Sequence, residues 1–127
     1  MIKKTLFTVL FSGLMIFQLY CQVPNAISLA LKNGNSYELS NHFNSEIELI
    51  VLDIENVYSK SQAQIILKDF FKEHHVENFI IKHQGDKENM HYVIGDLVTT
   101  GKTYRISFIL KNNNNQLLIH QLRIEDV

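Results

Sequence analysis

Two histidines, His83 and His91, bracket a polar stretch that also carries Asp86 and Glu88. Imidazole and carboxylate together can hold a transition metal, and a hairpin folded at this stretch could bring the two rings face to face. The competing reading is that His83 orders the loop by hydrogen bonding next to a turn at Gly85. Two histidines and a loop acid lack the tight spacing of a structural zinc motif, so no metal site is assigned. His120, the next candidate ligand, falls on the opposite face of its strand. His74 and His75 close a helix, where the helix dipole favours cations.

A second set points to a pocket. If Thr99 pairs with Lys102, and Lys111 with Gln116, strand alternation puts Tyr104, Phe108, Gln121 and Arg123 on one face of a sheet. Phe70 and Phe71 close a helix that would lie over that face. Apolar walls with a few convergent polar groups make a small-ligand site, in which Gln121 and Arg123 would orient a polar head. Proton abstraction beside a carbonyl would further need a carboxylate base and acidic hydrogen-bond donors inside the pocket. Asp53 only closes a strand, and Asp96 falls on the other face, directly opposite Arg105. The catalytic set is incomplete, and no catalytic residue or cofactor is assigned. The chain has no glycine-rich phosphate loop and no Gly-x-Ser-x-Gly elbow.

The elements that would position these residues can be read in order. Ser59 and Gln62 form a capping box, and Ala63, Ile66, Leu67, Phe70 and Phe71 follow as the stripe of a helix packed on one side. Before it, Pro24 opens a first helix with Ala26, Ile27, Ala30 and Leu31 on one side, and Gly34 stops it. Ser36 caps a second, short helix from Leu39 to Phe43. Glu46 to Leu52 alternates as a strand, and Glu55 to Tyr58 is a short strand or turn. After the main helix come Phe79–His83, Met90–Thr99, Lys102–Lys111 and Gln116–Glu125, joined by turns at 84–89, 100–101 and 112–115. The opposite face of these strands carries Ile94, Ile109, Leu118, Leu122 and Ile124. An apolar surface of that breadth marks an interface, and homodimerisation through the sheet is expected.

The first residues belong to a different class. Lys3 and Lys4 precede an apolar run from Leu6 to Phe17, closed by polar Gln18. This is the layout of a secretory signal peptide over residues 1–21, and the run is too short for the roughly 20 apolar residues of a membrane span. A buried N-terminal helix fits the charge order less well. Cys21 is the only cysteine. Cleavage after Cys21 would leave a soluble exported domain, residues 22–127. Lipidation of Cys21 in a degenerate Leu19-Tyr20-Cys21 box would anchor it to a membrane. Tyr20 favours plain secretion, because a lipobox requires a small residue there. Without a cysteine pair the exported domain must fold on its apolar core, and it exceeds the roughly 55–65 residues that can fold alone. Losing Lys3 and Lys4 moves the formal charge from −1 to −3. That argues against a nucleic-acid partner, which requires basic clusters.

Phe70-Phe71, His83-Gln84-Gly85, Tyr92-Val93-Ile94-Gly95, Gly101-Lys102-Thr103-Tyr104-Arg105 and Leu122-Arg123-Ile124-Glu125 resemble domain-of-unknown-function family 4783 from Ala26 to Glu125. These are small exported bacterial proteins. The resemblance implies an α+β fold, the cystatin-like cone shared with nuclear transport factor 2 and ketosteroid isomerase, with two or three helices packed on a bent antiparallel sheet. It supplies no catalytic residues. The expected function is a non-catalytic exported domain that binds a small apolar ligand in the cone or a partner through the sheet. The alternative is an isomerase- or hydratase-like enzyme using the same pocket.

Overall fold

The capping box and the apolar stripe produce the longest helix. A computed structural model describes residues 23–127; the expected leader, 1–21, and Cys21 lie outside the described residues. Helix α3 spans Lys60–Glu73. The Ser59 hydroxyl accepts from the Gln62 N–H at 3.2 Å, and the Gln62 side chain accepts from the Ser59 N–H at 3.1 Å. Ala63, Leu67, Phe70 and Phe71 form its buried side. Helix α1, Asn25–Lys32, buries Ile27, Ala30 and Leu31. Gly34 ends it at φ +61°, a left-handed turn that an L side chain adopts at a cost. Helix α2 is Ser36–Ser40, and its cap is Asn35 rather than Ser36: the Asn35 side chain accepts from the Glu38 N–H at 3.0 Å. Ser36 is buried instead and accepts from Gln64 Nε2 at 3.1 Å, which ties α2 to α3. The helix stops short of Phe43, where the first strand begins.

The strands are β1 (Phe43–Val51), β2 (Ile54–Ser59), β3 (Val76–Lys87), β4 (Met90–Thr99), β5 (Lys102–Asn113) and β6 (Gln116–Asp126). They form one sheet in the order β2-β1-β6-β5-β4-β3. Every neighbouring pair is antiparallel except β1 and β6, which run parallel, so the expectation of a purely antiparallel sheet is corrected at that pair. Register shifts interrupt β1–β6, β3–β4 and β5–β6. Such bulges bend and twist a strand, and here they curl the sheet around the helices. The result is the expected cone: three helices against a bent sheet.

The turns explain where the expected register holds and where it slips. Thr99 pairs with Lys102 and Asp96 with Arg105, as the sequence pattern predicts. The 84–89 stretch is mostly strand, since Lys87 pairs with Met90 and only Glu88 and Asn89 lie between them. The asparagine run is also strand up to a two-residue turn. Asn113 pairs with Gln116, and Asn114 and Asn115 both take positive φ, 52° and 64°. This is the type I′ geometry that matches strand twist, and asparagine tolerates it. Further along, Leu110 pairs with Ile119 and Ile109 with Gln121, which leaves His120 as an extra residue. From that point β6 presents the opposite parity. Leu122 and Ile124 turn inward and are fully buried, while Gln121 and Arg123 turn outward.

Candidate functional site

The interior of the cone is packed with side chains. Phe43, Phe79, Phe108, Leu97, Ile106, Leu122 and Ile124 from the sheet meet Leu67, Phe70 and Phe71 from α3 in one continuous core. Phe108 is 1% exposed, and its ring lies 6.3 Å from that of Phe79. Phe70 meets Tyr104 edge-on at 5.4 Å and Phe71 at 6.0 Å, the arrangement that aromatic quadrupoles favour. Tyr104 is buried, and its hydroxyl lies 3.2 Å from His74 Nδ1. Four of the six expected pocket residues, Phe70, Phe71, Tyr104 and Phe108, are therefore brought together, as core.

Gln121 and Arg123 are not with them. The bulge at His120 places both on the outer face of the sheet. Gln121 Nε2 donates to Glu48 Oε2 at 3.0 Å, and Arg123 Nε lies 3.9 Å from Glu125 Oε1. Their expected place on the inner face is thus corrected, and neither can orient a head group inside the cone. Asp96 is on the outer face as expected, 3.7 Å from Lys82 Nζ. Among the described residues no Asp or Glu is buried.

The histidines separate onto different faces. A register shift between Ile81 and His83 turns His83 outward, where Nε2 lies 3.3 Å from the Tyr92 hydroxyl. Gly85 is no turn. It sits in β3 under the Tyr92 ring, and a Cβ there would lie 2.6 Å from the Tyr92 hydroxyl. His91 points inward and is buried, with Nδ1 2.8 Å from Asp86 Oδ1 and Nε2 3.0 Å from Gln84 Oε1. Both ring nitrogens are engaged, so the group ties the β3–β4 hairpin together. Among the described residues no three His, Cys, Asp or Glu side chains gather at metal-binding distance. His74 does more than end α3: its N–H caps Phe70 O, and its ring lies 4.5 Å from that of Phe70. Burial lowers the pKa of His42 and of His120. His120 Nε2 is buried with no hydrogen-bond partner among the described residues.

One open cleft lies at the mouth of the cone. A cleft of about 440 Å³ separates the β1–β2 turn from the last turns of α3. Its apolar floor comes from Val51, Leu52, Ile54, Ile66 and Phe70. Asp53, Asp69, Glu73 and His74 form the rim.

The family model "Domain of unknown function (DUF4783)" matches residues 24–125. The chain belongs to the DUF4783 family. A crystal structure of a DUF4783 family protein from Bacteroides ovatus ATCC 8483 is 33% identical, with a TM-score of 0.79 over 83% of this chain and 96% of that one. A second, from Bacteroides uniformis ATCC 8492, is 31% identical, with a TM-score of 0.78 over 84% and 98%. A protein named Rd1NTF2_04 with long sheet shares the fold at a TM-score of 0.61 and 16% identity, over 79% of this chain and 94% of that one. None of the curated proteins matches the chain.

The outer face of this DUF4783 sheet was partly legible in the sequence. Ile94, Ile109 and Leu118 lie there half-buried, as expected, whereas Leu122 and Ile124 do not. Ile50 joins them, since it pairs with Arg123 on the outward phase of β1. Ile80 and Val57 add exposed apolar surface at opposite edges. The cleft residues Leu52 and Asp69 carry no functional signal in the sequence, and Asp53 reads there only as a candidate carboxylate closing a strand, because a hairpin turn and a helix end meet only in the fold.

Proposed function

We propose that this DUF4783 domain is an exported, non-catalytic interaction module that pairs with a second copy of itself through the outer face of its sheet. The observation that carries the reading is the contrast between the two faces. The inner face is filled by Phe70, Phe71, Phe108 and Tyr104, while the outer face exposes parts of Ile94, Ile109 and Leu118. Charges of both signs flank that strip: Glu48 and Arg123 toward one edge, Arg105, Asp96 and Lys82 toward the other. A two-fold arrangement can set unlike charges opposite one another and so fix the register of the pair. An isomerase- or hydratase-like reaction would need a carboxylate inside an apolar pocket, and the described core holds none.

Sedimentation velocity over a concentration series tests the reading. Wild type should sediment as a dimer, and Ile109→Glu as a folded monomer with unchanged circular dichroism. A monomeric wild type, or a variant that stays dimeric, would contradict it. Export is tested by the intact mass of the protein recovered from a bacterial envelope. A chain starting at Gln22 would support plain secretion, and an acylated Cys21 would support membrane anchoring.

A further inference from the structure

The cleft at the mouth of the cone has a chemical character of its own. Its floor is apolar, with Phe70 and Ile66 of α3 on one side and the β1–β2 turn on the other. Asp53, Asp69 and Glu73 stand around it exposed, and among the described residues no lysine or arginine lines it. Among the described residues, none of these three carboxylates takes part in an ion pair. Three uncompensated carboxylates over an apolar floor complement one kind of small molecule, a hydrophobic body carrying a cationic head. The wall facing α3 is built at a cost. Leu52 holds φ +55°, a conformation unfavourable for a branched side chain, and its N–H donates to Ile124 O at 2.9 Å. That bond pins the turn to β6 and keeps Leu52 and Asp53 at the cleft.

We propose that this cleft binds a small organic amine, with its apolar body on Phe70, Ile66 and Leu52 and its ammonium group among Asp53, Asp69 and Glu73. An anion of the same shape is rejected by the same carboxylates. The proposal does not depend on pairing through the sheet, because the cleft lies at the mouth of the cone and the interface on the outer face.

Phenethylammonium and phenylacetate are matched probes of opposite charge. They are titrated into the isotopically labelled full-length domain at pH 8 and followed by amide shifts. Phenethylammonium should give saturable shifts at residues 51–54 and 66–74, weakening as salt is raised, and phenylacetate should give none there. The Asp53→Asn, Asp69→Asn, Glu73→Gln triple variant changes only exposed side chains. It should weaken phenethylammonium by about tenfold, the sum of three exposed charge contacts. Equal shifts from the two probes, shifts confined to other residues, or an unchanged affinity in the triple variant would overturn the proposal.

Discussion

The two hairpins that share β5 differ in one residue. Across β4–β5 the pairing runs without interruption from Thr99–Lys102 to Met90–Lys111, and every side chain keeps its face. Across β5–β6 the pairing changes phase at His120, and the two ends of β6 face opposite ways. The phase change decides what the cone is. It sends Leu122 and Ile124 into the interior beside Phe108 and Ile106, and it leaves Gln121 and Arg123 outside with Glu48 and Glu125. An uninterrupted β6 would have set an arginine and a glutamine under the helices. The bulge makes the interior a packed core and moves the polar groups to the sheet surface.

Substitutions along the two hairpins test this difference. The largest loss is expected at Phe108, where both hairpins meet. Phe108→Ala should cost about 3–5 kcal/mol in denaturant unfolding, because a fully buried aromatic leaves a cavity that its neighbours only partly close. Leu122→Ala should cost about 2–5 kcal/mol by the same reasoning, although the unshifted register would leave it on the surface. A loss near zero at Leu122 would remove the bulge from the account. In β3, Gly85→Ala should cost no more than about 1 kcal/mol, since the new methyl meets only the far end of the Tyr92 side chain, which can swing aside and leave His83. At the small end, Arg123→Ala should change stability by no more than about 0.5 kcal/mol, as expected for an exposed side chain with one long ion contact.

The bulge residue itself adds a pH signature. Burial lowers the His120 pKa from 6.5, and Lys111 lowers it further. Below the unfolded value the unfolded chain binds more protons than the native one, so this contribution is present above pH 6.5 and lost as pH falls through the lowered folded value. His120→Gln should therefore flatten the fall in Tm between pH 7 and pH 5 relative to wild type. A parallel fall in the two proteins would show that the imidazole is not held neutral by burial.

Much of the fold could be read from local patterns. The capping box, the α3 stripe, the Gly34 stop and the Thr100-Gly101 turn each involve residues close in sequence, and each appears in the structure. The parallel pairing of β1 with β6 could not be read this way, because strands brought together by a long crossover leave no turn signature. The bulge at His120 had a signal that the turn-based register overrode. Leu117 and Ile119 share one phase, Leu122 and Ile124 the other, and the odd step between Ile119 and Leu122 marks the extra residue. The same error placed Gln121 and Arg123 in the pocket. The cleft was invisible in the sequence, since its walls are a hairpin turn and a helix end more than ten residues apart.

Thiol accessibility at neighbouring positions of β6 tests the inside-out arrangement most directly. In a Cys21→Ser background, Leu122→Cys and Arg123→Cys each carry a single thiol, and labelling with a small maleimide is followed under native conditions at protein concentrations low enough to keep the chains apart. The account predicts that the thiol at 123 labels at the rate of an unfolded control, while the thiol at 122 is protected until the protein unfolds. The reverse order would place the polar groups inside the cone and restore the interior as a pocket.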